Sequence, residues 1–229
     1  MPAGPPPPVV PGSGSQDDPV DALGRAALEF DPPAATSIIT TALRTRGVVA
    51  AWTDVFAPAL RRQGERFERT ADGIAAEHLL SECLRAALST VVWRRRRWTR
   101  GPPVLLAAPD GEQHVLPLQS LAAALAEVHR HSVLLGASVP PRALLDAVTR
   151  LDPTVVFLWA QTPGAARRAE LAALRRHRHL DASSLVLGGP GWPTGAAGRV
   201  ADLAHAVHAC TAPVFPHRRG SRQPPGLAS

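Results

Sequence analysis

The sequence predicts an all-α domain followed by an α/β domain with a parallel sheet. Residues 19–98 show several helical periods and no convincing strand, whereas short apolar runs alternate with helical stretches from residue 101 onward. Strands that alternate with helices are typical of a doubly wound parallel sheet. A chain of 229 residues can hold two such small domains. We place the helical domain at residues 19–100 and the α/β domain at residues 101–212.

Four helices are expected in the first domain. Apolar residues recur at helical spacing in each of them, and Gly47 interrupts the pattern as a helix end does. The expected helices are Val20–Phe30, Pro33–Thr45, Val48–Phe67 and Gly73–Trp93. Because their connections are short, the prediction is an antiparallel four-helix bundle.

The second domain is expected to contain four strands, each followed by a helix. Val104–Ala108 is a short apolar run that ends at Pro-Asp-Gly, which is typical of a buried strand meeting a loop. The later strands are Ser132–Leu135, Thr154–Trp159 and Ser184–Leu187, and the helices are Leu118–His129, Pro141–Leu151, Ala165–His177 and Gly195–Ala209. Ligands of such sheets bind beyond the carboxyl ends of the strands. The sequence therefore predicts a site formed by loops 109–117, 159–164 and 188–193.

Composition limits the classes of protein that remain. Residues 1–18 and 213–229 are rich in Pro, Gly and Ser, so we expect a disordered leader and a disordered tail. No apolar run is long enough to span a bilayer and no signal peptide is evident, so a cytoplasmic location without membrane contact is expected. Cys83 and Cys210 lie far apart, which indicates neither a disulfide scaffold nor a zinc site.

The charge of the chain is strongly basic. Its formal net charge is +6 and all 25 basic residues are Arg, which we interpret as coding bias more than as a nucleic-acid surface. Arg94–Arg97 is the one dense basic run of the sequence. We interpret this run as a solvated helix end before a linker, and contact with a phosphate or a partner is the alternative.

Three loop motifs follow the first, third and fourth predicted strands. They are Glu112-Gln113-His114, Trp159-Ala160-Gln161 and Gly188-Gly189. Their order and separation resemble the signature of the cobalamin-binding Rossmann-like domain, which runs Asp-x-His-x-x-Gly, then Ser-x-Leu, then Gly-Gly. The resemblance implies a Rossmann-like (flavodoxin-like) fold that binds cobalamin. Pro117 stands at the last position of the first motif, where the family has Gly.

The resemblance also implies a role for each residue. His114 would be the lower axial ligand of cobalt, and Glu112 would hold the other ring nitrogen of His114 and raise its basicity. The displaced nucleotide base of the cofactor would enter a slot beside the sheet, flanked by Gly188 and Gly189. The resemblance places Trp159, Gln161 and Thr162 beside the same nucleotide base. Gln161 or Thr162 would supply a polar contact to it.

A motif in the helical domain supports the same family. Phe67, nine further residues and Glu77-His78 resemble the Trp-x9-Glu-His motif of the light-sensing CarH/LitR regulators. In that group the motif lies on the bundle that covers the upper face of adenosylcobalamin. The resemblance therefore implies a four-helix bundle cap and adenosylcobalamin as the cofactor. Phe67 in place of Trp is compatible with a second chromophore such as biliverdin, as in the similar photocobilins.

The leading interpretation is a stand-alone cobalamin-binding light sensor. Photolysis of the upper cobalt ligand would change how the bundle packs on the Rossmann-like domain, and a regulatory protein partner or a homo-oligomer would read the change. The Pro-rich leader holds no winged helix, so direct DNA binding is not expected. The alternatives are a corrinoid methyl-carrier protein of a methyltransferase system and an interaction module without a cofactor. No second catalytic constellation is evident, so enzymatic activity is not expected.

Overall fold

A computed structural model of the chain describes residues 18–70, 73–165, 168–176, 180 and 184–212. The chain forms two compact units that divide between Ala87 and Leu88. The first unit is helical and the second contains the sheet. The expected leader and tail lie outside the described residues except for Asp18, whose carboxylate accepts a hydrogen bond from the Val20 N–H at 3.0 Å and caps the first helix.

Helices α1 (Pro19–Leu28), α2 (Pro32–Ala51), α3 (Ala57–Thr70) and α4 (Ile74–Arg95) correspond to the four expected helices. The predicted break at Gly47 is confirmed, since its φ of 75° and ψ of 170° are not helical. A π-helical segment, Trp52–Phe56, joins α2 to α3. In the first unit α1 packs on α2 and α3. Assembly of all four helices into a bundle stays a prediction.

The division between the two units falls inside α4, which the sequence had assigned whole to the helical domain. The expected linker after the arginine run is absent from the described residues. A short 3-10 segment, Arg96–Trp98, follows α4 directly, and strand β1 begins at Arg100. The arginine run therefore belongs to ordered structure at the start of the sheet.

The sheet of the second unit contains β1 (Arg100–Pro109), β2 (Arg130–Val139), β3 (Val155–Trp159) and β4 (Leu185–Gly188). All pairings are parallel and the strand order is β2-β1-β3-β4, so the predicted parallel α/β class is confirmed. The chain moves outward from β1 in one direction to β2 and in the other direction to β3. The carboxyl ends of β1 and β3 thus form the switch point at which parallel sheets bind ligands.

Helices α5 (Leu116–Glu127), α6 (Pro141–Leu151), α7 (Arg168–Arg175) and α8 (Leu203–Thr211) complete the second unit. The start of the last predicted helix was wrong. The helix was expected over Gly195–Ala209, whereas α8 begins at Leu203. Gly198 adopts a φ of +82° and Arg199 bridges to Leu187, so the chain before α8 follows the edge of the sheet. Asp202 then caps α8 through the His205 N–H at 2.8 Å. Within the described residues, no helix is both long and apolar enough to cross a membrane.

The two cysteines should differ in reactivity. Cys210 is buried in α8, and burial raises the pKa of its thiol to about 12, although the nearby Arg130 charge acts in the opposite direction. At pH 8 the reactive thiolate of Cys210 is then on the order of one part in ten thousand. We expect iodoacetamide to label the half-buried Cys83 in the native chain and Cys210 only after unfolding, as read by peptide mass spectrometry. Fast labelling of native Cys210 would contradict the packing of α8.

Candidate functional site

The site is built around Glu112, a carboxylate that lies in the loop after β1 and is 1% exposed. Burying a charged carboxylate is costly unless hydrogen bonds replace its water. The backbone of this residue is anchored on both sides, because its N–H donates to the Pro109 carbonyl and its own carbonyl accepts from the Ser138 N–H, both at 2.9 Å. These two backbone hydrogen bonds fix the loop so that the Glu112 carboxylate points inward.

Four donors satisfy the Glu112 carboxylate. Oε1 accepts from the His114 backbone N–H at 2.9 Å and lies 2.6 Å from His114 Nδ1. Oε2 accepts from the backbone N–H groups of Gln161 at 2.7 Å and Thr162 at 3.2 Å, both in the loop after β3. Burial alone would raise the pKa of this carboxyl and is the largest single effect. The four hydrogen bonds together outweigh it and hold the pKa of Glu112 below its ordinary value.

The orientation of the His114 ring follows from this carboxylate. With Nδ1–H donating to Glu112, the neutral ring carries its free lone pair on Nε2. The His114 side chain is 57% exposed, so Nε2 faces away from its buried partner and is open to a ligand. A histidine held in this way is the arrangement found at metal sites, where the carboxylate fixes the tautomer and raises the basicity of the ring.

The donor set of the site is a single imidazole. Among the described residues, no cluster of three His, Cys, Asp or Glu side chains could enclose a metal ion. A protein zinc site needs three or four such ligands. One oriented histidine instead suits a metal that arrives already held by a macrocycle and needs only an axial ligand, as haem does. The residues present therefore fit a corrinoid, whose ring supplies the equatorial donors.

The diglycine of the loop after β4 is explained by the packing of the chain itself. A Cβ on Gly188 would lie 2.3 Å from Phe157 Cζ and 3.1 Å from Trp159 Cε3. A Cβ on Gly189 would lie 2.2 Å from the Ala160 carbonyl oxygen, and its φ of +100° favours glycine independently. The loop is also tied to β3, since the Ala160 N–H donates to the Gly188 carbonyl at 3.0 Å. Side chains are excluded here because β3 approaches too closely.

The residues expected to contact the nucleotide base of the cofactor lie near one another, but their side chains do not all face a shared slot. Trp159 is half-buried with its indole against both glycines, and its Nε1 is buried without a hydrogen-bond partner among the described residues. Gln161 and Thr162 have exposed side chains and act here through their backbone N–H groups. Aromatic side chains of the protein fill the space beside Gly188 and Gly189. A slot for a nucleotide base at these residues stays a prediction.

The helical motif belongs to the first unit. Glu77 is half-buried and His78 is exposed in α4. Phe67 lies in α3, and its side chain falls outside the described part of the chain. The roles of these three residues toward a cofactor stay predictions.

Sequence reasoning missed one residue of the site, Ser138 at the end of β2. Its hydroxyl accepts from the Gly111 N–H at 2.9 Å and donates to Asp110 at 3.2 Å, and its φ is +47°. Together with its backbone bond to Glu112, these contacts hold the loop after β1 from the other side. Nothing in the local sequence marks a serine for this role, because the contact joins positions about 27 residues apart.

Comparison with known proteins gives an independent result. Residues 20–91 match the family model of the B12 binding domain. The matched range covers α1 to most of α4, so the loops that carry Glu112 and His114 lie beyond it.

Two curated relatives extend the match along the chain. Over 174 residues, or 76% of this chain, it is 30% identical to the HTH-type transcriptional repressor CarH of Myxococcus xanthus. Over 132 residues it is 33% identical to the HTH-type transcriptional repressor CarA of the same organism. The chain spans about half the length of these relatives, with 56% of CarH and 43% of CarA covered.

A solved structure shares the fold of most of this chain. The monomethylamine corrinoid protein of Methanosarcina barkeri superposes with a TM-score of 0.63 over 84% of this chain and 97% of that one. The sequence identity is 13%, so the similarity concerns the fold. The expected Rossmann-like fold is thereby confirmed.

Gly189→Ala should destabilise the second unit. The added Cβ meets the Ala160 carbonyl and the backbone has a positive φ, so we expect a loss of about 2–4 kcal/mol in the free energy of unfolding. Gly195→Ala is the matched control, because nothing lies within 4 Å of its Cβ position. Urea unfolding of both variants measures the difference. Equal stability of the two would contradict the close approach of β3 to the diglycine.

Glu112→Gln should weaken the junction of the two loops. The amide NH₂ must face either the His114 donors or the Gln161 and Thr162 donors, which leaves buried donors unpaired and costs about 1–3 kcal/mol in the free energy of unfolding. Asp146→Asn, in an exposed pair with Arg150, should change it by about 0.5 kcal/mol or less.

The stability lost in Glu112→Gln should depend on pH. Because the folded pKa of Glu112 is lowered, its stabilising contribution is complete above the ordinary glutamate pKa and is lost as the pH falls through the folded pKa. The stability difference between wild type and Glu112→Gln should therefore shrink in acid. A difference that grows in acid, measured by urea unfolding across pH, would contradict the assigned hydrogen bonds.

Proposed function

We propose that the chain binds a cobalamin through His114 and uses it as a light-sensitive cofactor. The observation that carries the first half is the buried carboxylate of Glu112, which leaves one exposed imidazole nitrogen available at the switch point of the sheet. Cobalamin, when bound, supplies a cobalt–carbon bond that light can break. Glu112 orients the ring and raises its basicity, and the N–H groups of Gln161 and Thr162 keep the carboxylate in place.

The light-sensing half of the proposal rests on resemblance and relatives. The Phe67 and Glu77-His78 motif resembles that of light-sensing CarH/LitR regulators, and CarH and CarA are the relatives that match this chain. We propose adenosylcobalamin as the cofactor and Phe67, Glu77 and His78 as residues that contact its upper side. Loss of the upper ligand would change the packing of the helical residues, and a regulatory protein partner or a homo-oligomer would sense the change. Biliverdin as a second chromophore belongs to the same proposal.

A corrinoid methyl carrier is the second candidate function. The observation that favours it is the fold shared with the monomethylamine corrinoid protein. The two functions differ in their response to light. A sensor changes its absorption spectrum and its state of association on illumination, whereas a methyl carrier needs no such coupling.

His114→Ala should abolish tight binding of cobalamin. The variant removes the one oriented nitrogen donor at the switch point, so we expect affinity to fall by at least about tenfold to a hundredfold. His205→Ala is the matched control, since His205 is also exposed and has its Nδ1 2.8 Å from a carboxylate, Asp202, but lies at the start of α8. Absorption spectra in the dark, after loading with adenosylcobalamin and gel filtration, measure bound cofactor.

The same samples, illuminated, separate the candidate functions. A light-dependent spectrum together with a change in elution volume or in partner binding supports the sensor. A bound cofactor whose illumination leaves association unchanged supports the methyl carrier. Equal loading of wild type and His114→Ala would overturn His114 as the ligand, and no loading of either would overturn cobalamin binding.

A further inference from the structure

The arginine run at the end of α4 lines a cavity at the amino edge of the sheet, away from the switch point. The cavity has a volume of about 390 Å³, which lies within the range of small-molecule sites. Arg96 and Arg97 contribute from the segment after α4, and Arg130 and His131 contribute from the start of β2. All of these residues belong to the second unit. Among the described residues, no Asp or Glu lines this cavity.

Arg96 and Arg130 are positioned by contacts with uncharged groups. Arg130 donates from Nε to the Cys210 carbonyl at 3.3 Å and from Nη2 to the Thr154 hydroxyl, and both acceptors are uncharged. The Arg96 guanidinium stacks on the Trp93 ring at 4.3 Å from its centroid. Two guanidinium groups are thus held in place by neutral partners, which leaves an electropositive cavity that favours an anion.

The nearby C-terminus of α5 does not cancel this charge. Helix C-termini carry partial negative charge that would oppose an anion. The Glu127 carbonyl at the end of α5 accepts a hydrogen bond from Arg95 Nη1 at 3.5 Å. Arg95 therefore hydrogen-bonds with the C-terminus of α5, while its neighbour Arg96 lines the cavity.

A second, smaller cavity of about 160 Å³ adjoins the first and differs in chemistry. The two share Val92 and Ser132 in their walls. The second is lined by the 64% exposed Trp93, by Leu134 and by Gln119, whose buried Oε1 has no hydrogen-bond partner among the described residues. An aromatic face beside an unpaired amide oxygen suits a flat heterocycle that stacks and donates an N–H.

We propose that these adjoining cavities form a binding site for a nucleoside phosphate. The phosphoryl group would bind at Arg96, Arg97, Arg130 and His131, where guanidinium forks match phosphate oxygens. The base would lie against Trp93 and donate to Gln119. The cations converge on one cavity and do not track a groove, so a single nucleotide fits better than a nucleic-acid strand. The arginines of this site lie at the amino edge of the sheet, whereas His114 follows the carboxyl end of β1, so the two proposals rest on different residues.

The test is calorimetric titration of the full chain with ADP, adenosine and inorganic phosphate. We expect ADP to bind, with adenosine and phosphate each weaker by at least about tenfold because each engages one cavity only. Arg96→Gln should weaken ADP by at least about tenfold, which is the effect of losing one charge-assisted contact. Arg94→Gln is the matched control, since it removes the same charge from the same run but lies outside both cavity walls. It should weaken ADP by less than about threefold.

Several outcomes would overturn this site. They are the absence of ADP binding at millimolar concentration, an equal loss in the two arginine variants, and tighter binding of a single-stranded oligonucleotide than of ADP. Biliverdin that binds the wild type, is lost in Arg96→Gln and is not displaced by ADP would assign the cavity to a bilin instead. Thermal unfolding of each variant shows whether it folds, and loading with cobalamin should be the same in Arg96→Gln and wild type. That last measurement separates failure of this site from failure of the cobalamin proposal.

Discussion

The second unit depends on one interaction, the burial of the Glu112 carboxylate between two loops. Its Oε1 binds the loop after β1 through His114, and its Oε2 binds the loop after β3 through two backbone N–H groups. In a sheet of order β2-β1-β3-β4 these loops separate toward opposite sides, so nothing in the ladder itself joins them beyond the strand ends. A carboxylate that accepts from both sides closes this junction, and one of its two oxygens, Oε1, also orients the candidate metal ligand His114.

The loops after β3 and β4 are also packed tightly at the carboxyl ends of their strands. The diglycine after β4 lets Trp159, Phe157 and the Ala160 carbonyl approach closely, which packs the loop after β4 against β3. Trp192 adds a further tie through its Nε1, which donates to the Leu158 carbonyl at 3.3 Å.

The parts of the fold that follow from local chemistry were predictable from the sequence. Buried strands such as Val104–Ala108 are apolar on both faces because helices cover a parallel sheet on each side. The pairing of Glu112 with His114 was predictable too, since one residue separates the two and the carboxylate can reach the ring. The helix before Ala209 was mistaken in its start. Ala196 and Ala197 have helical propensity, but the chain after them hydrogen-bonds with Leu187 of β4 through Gly198 and Val200 instead.

The parts that depend on distant backbone atoms were not predictable. Gln161 and Thr162 were singled out for polar side chains, but they serve the site through N–H groups that any residue other than proline would provide. Arg130 was overlooked because its partners, Thr154 and Cys210, come from remote segments. The arginine run read as a solvated helix end, and only the placement of β2 beside it shows that part of the run lines a cavity.

The central claim is that His114, oriented by Glu112, is the nitrogen ligand of a bound cobalamin. Electron paramagnetic resonance of the chain loaded with the cob(II)alamin form tests it directly, because the unpaired electron on cobalt couples to the axial nitrogen. With ¹⁴N as the axial nitrogen, each cobalt line of the spectrum is split into a triplet. In a chain labelled with ¹⁵N only in histidine, we expect a doublet instead, and the doublet should be lost in His114→Ala. A triplet that persists in the labelled chain would mean that the cofactor's own base is the ligand, and the account of this site would be wrong.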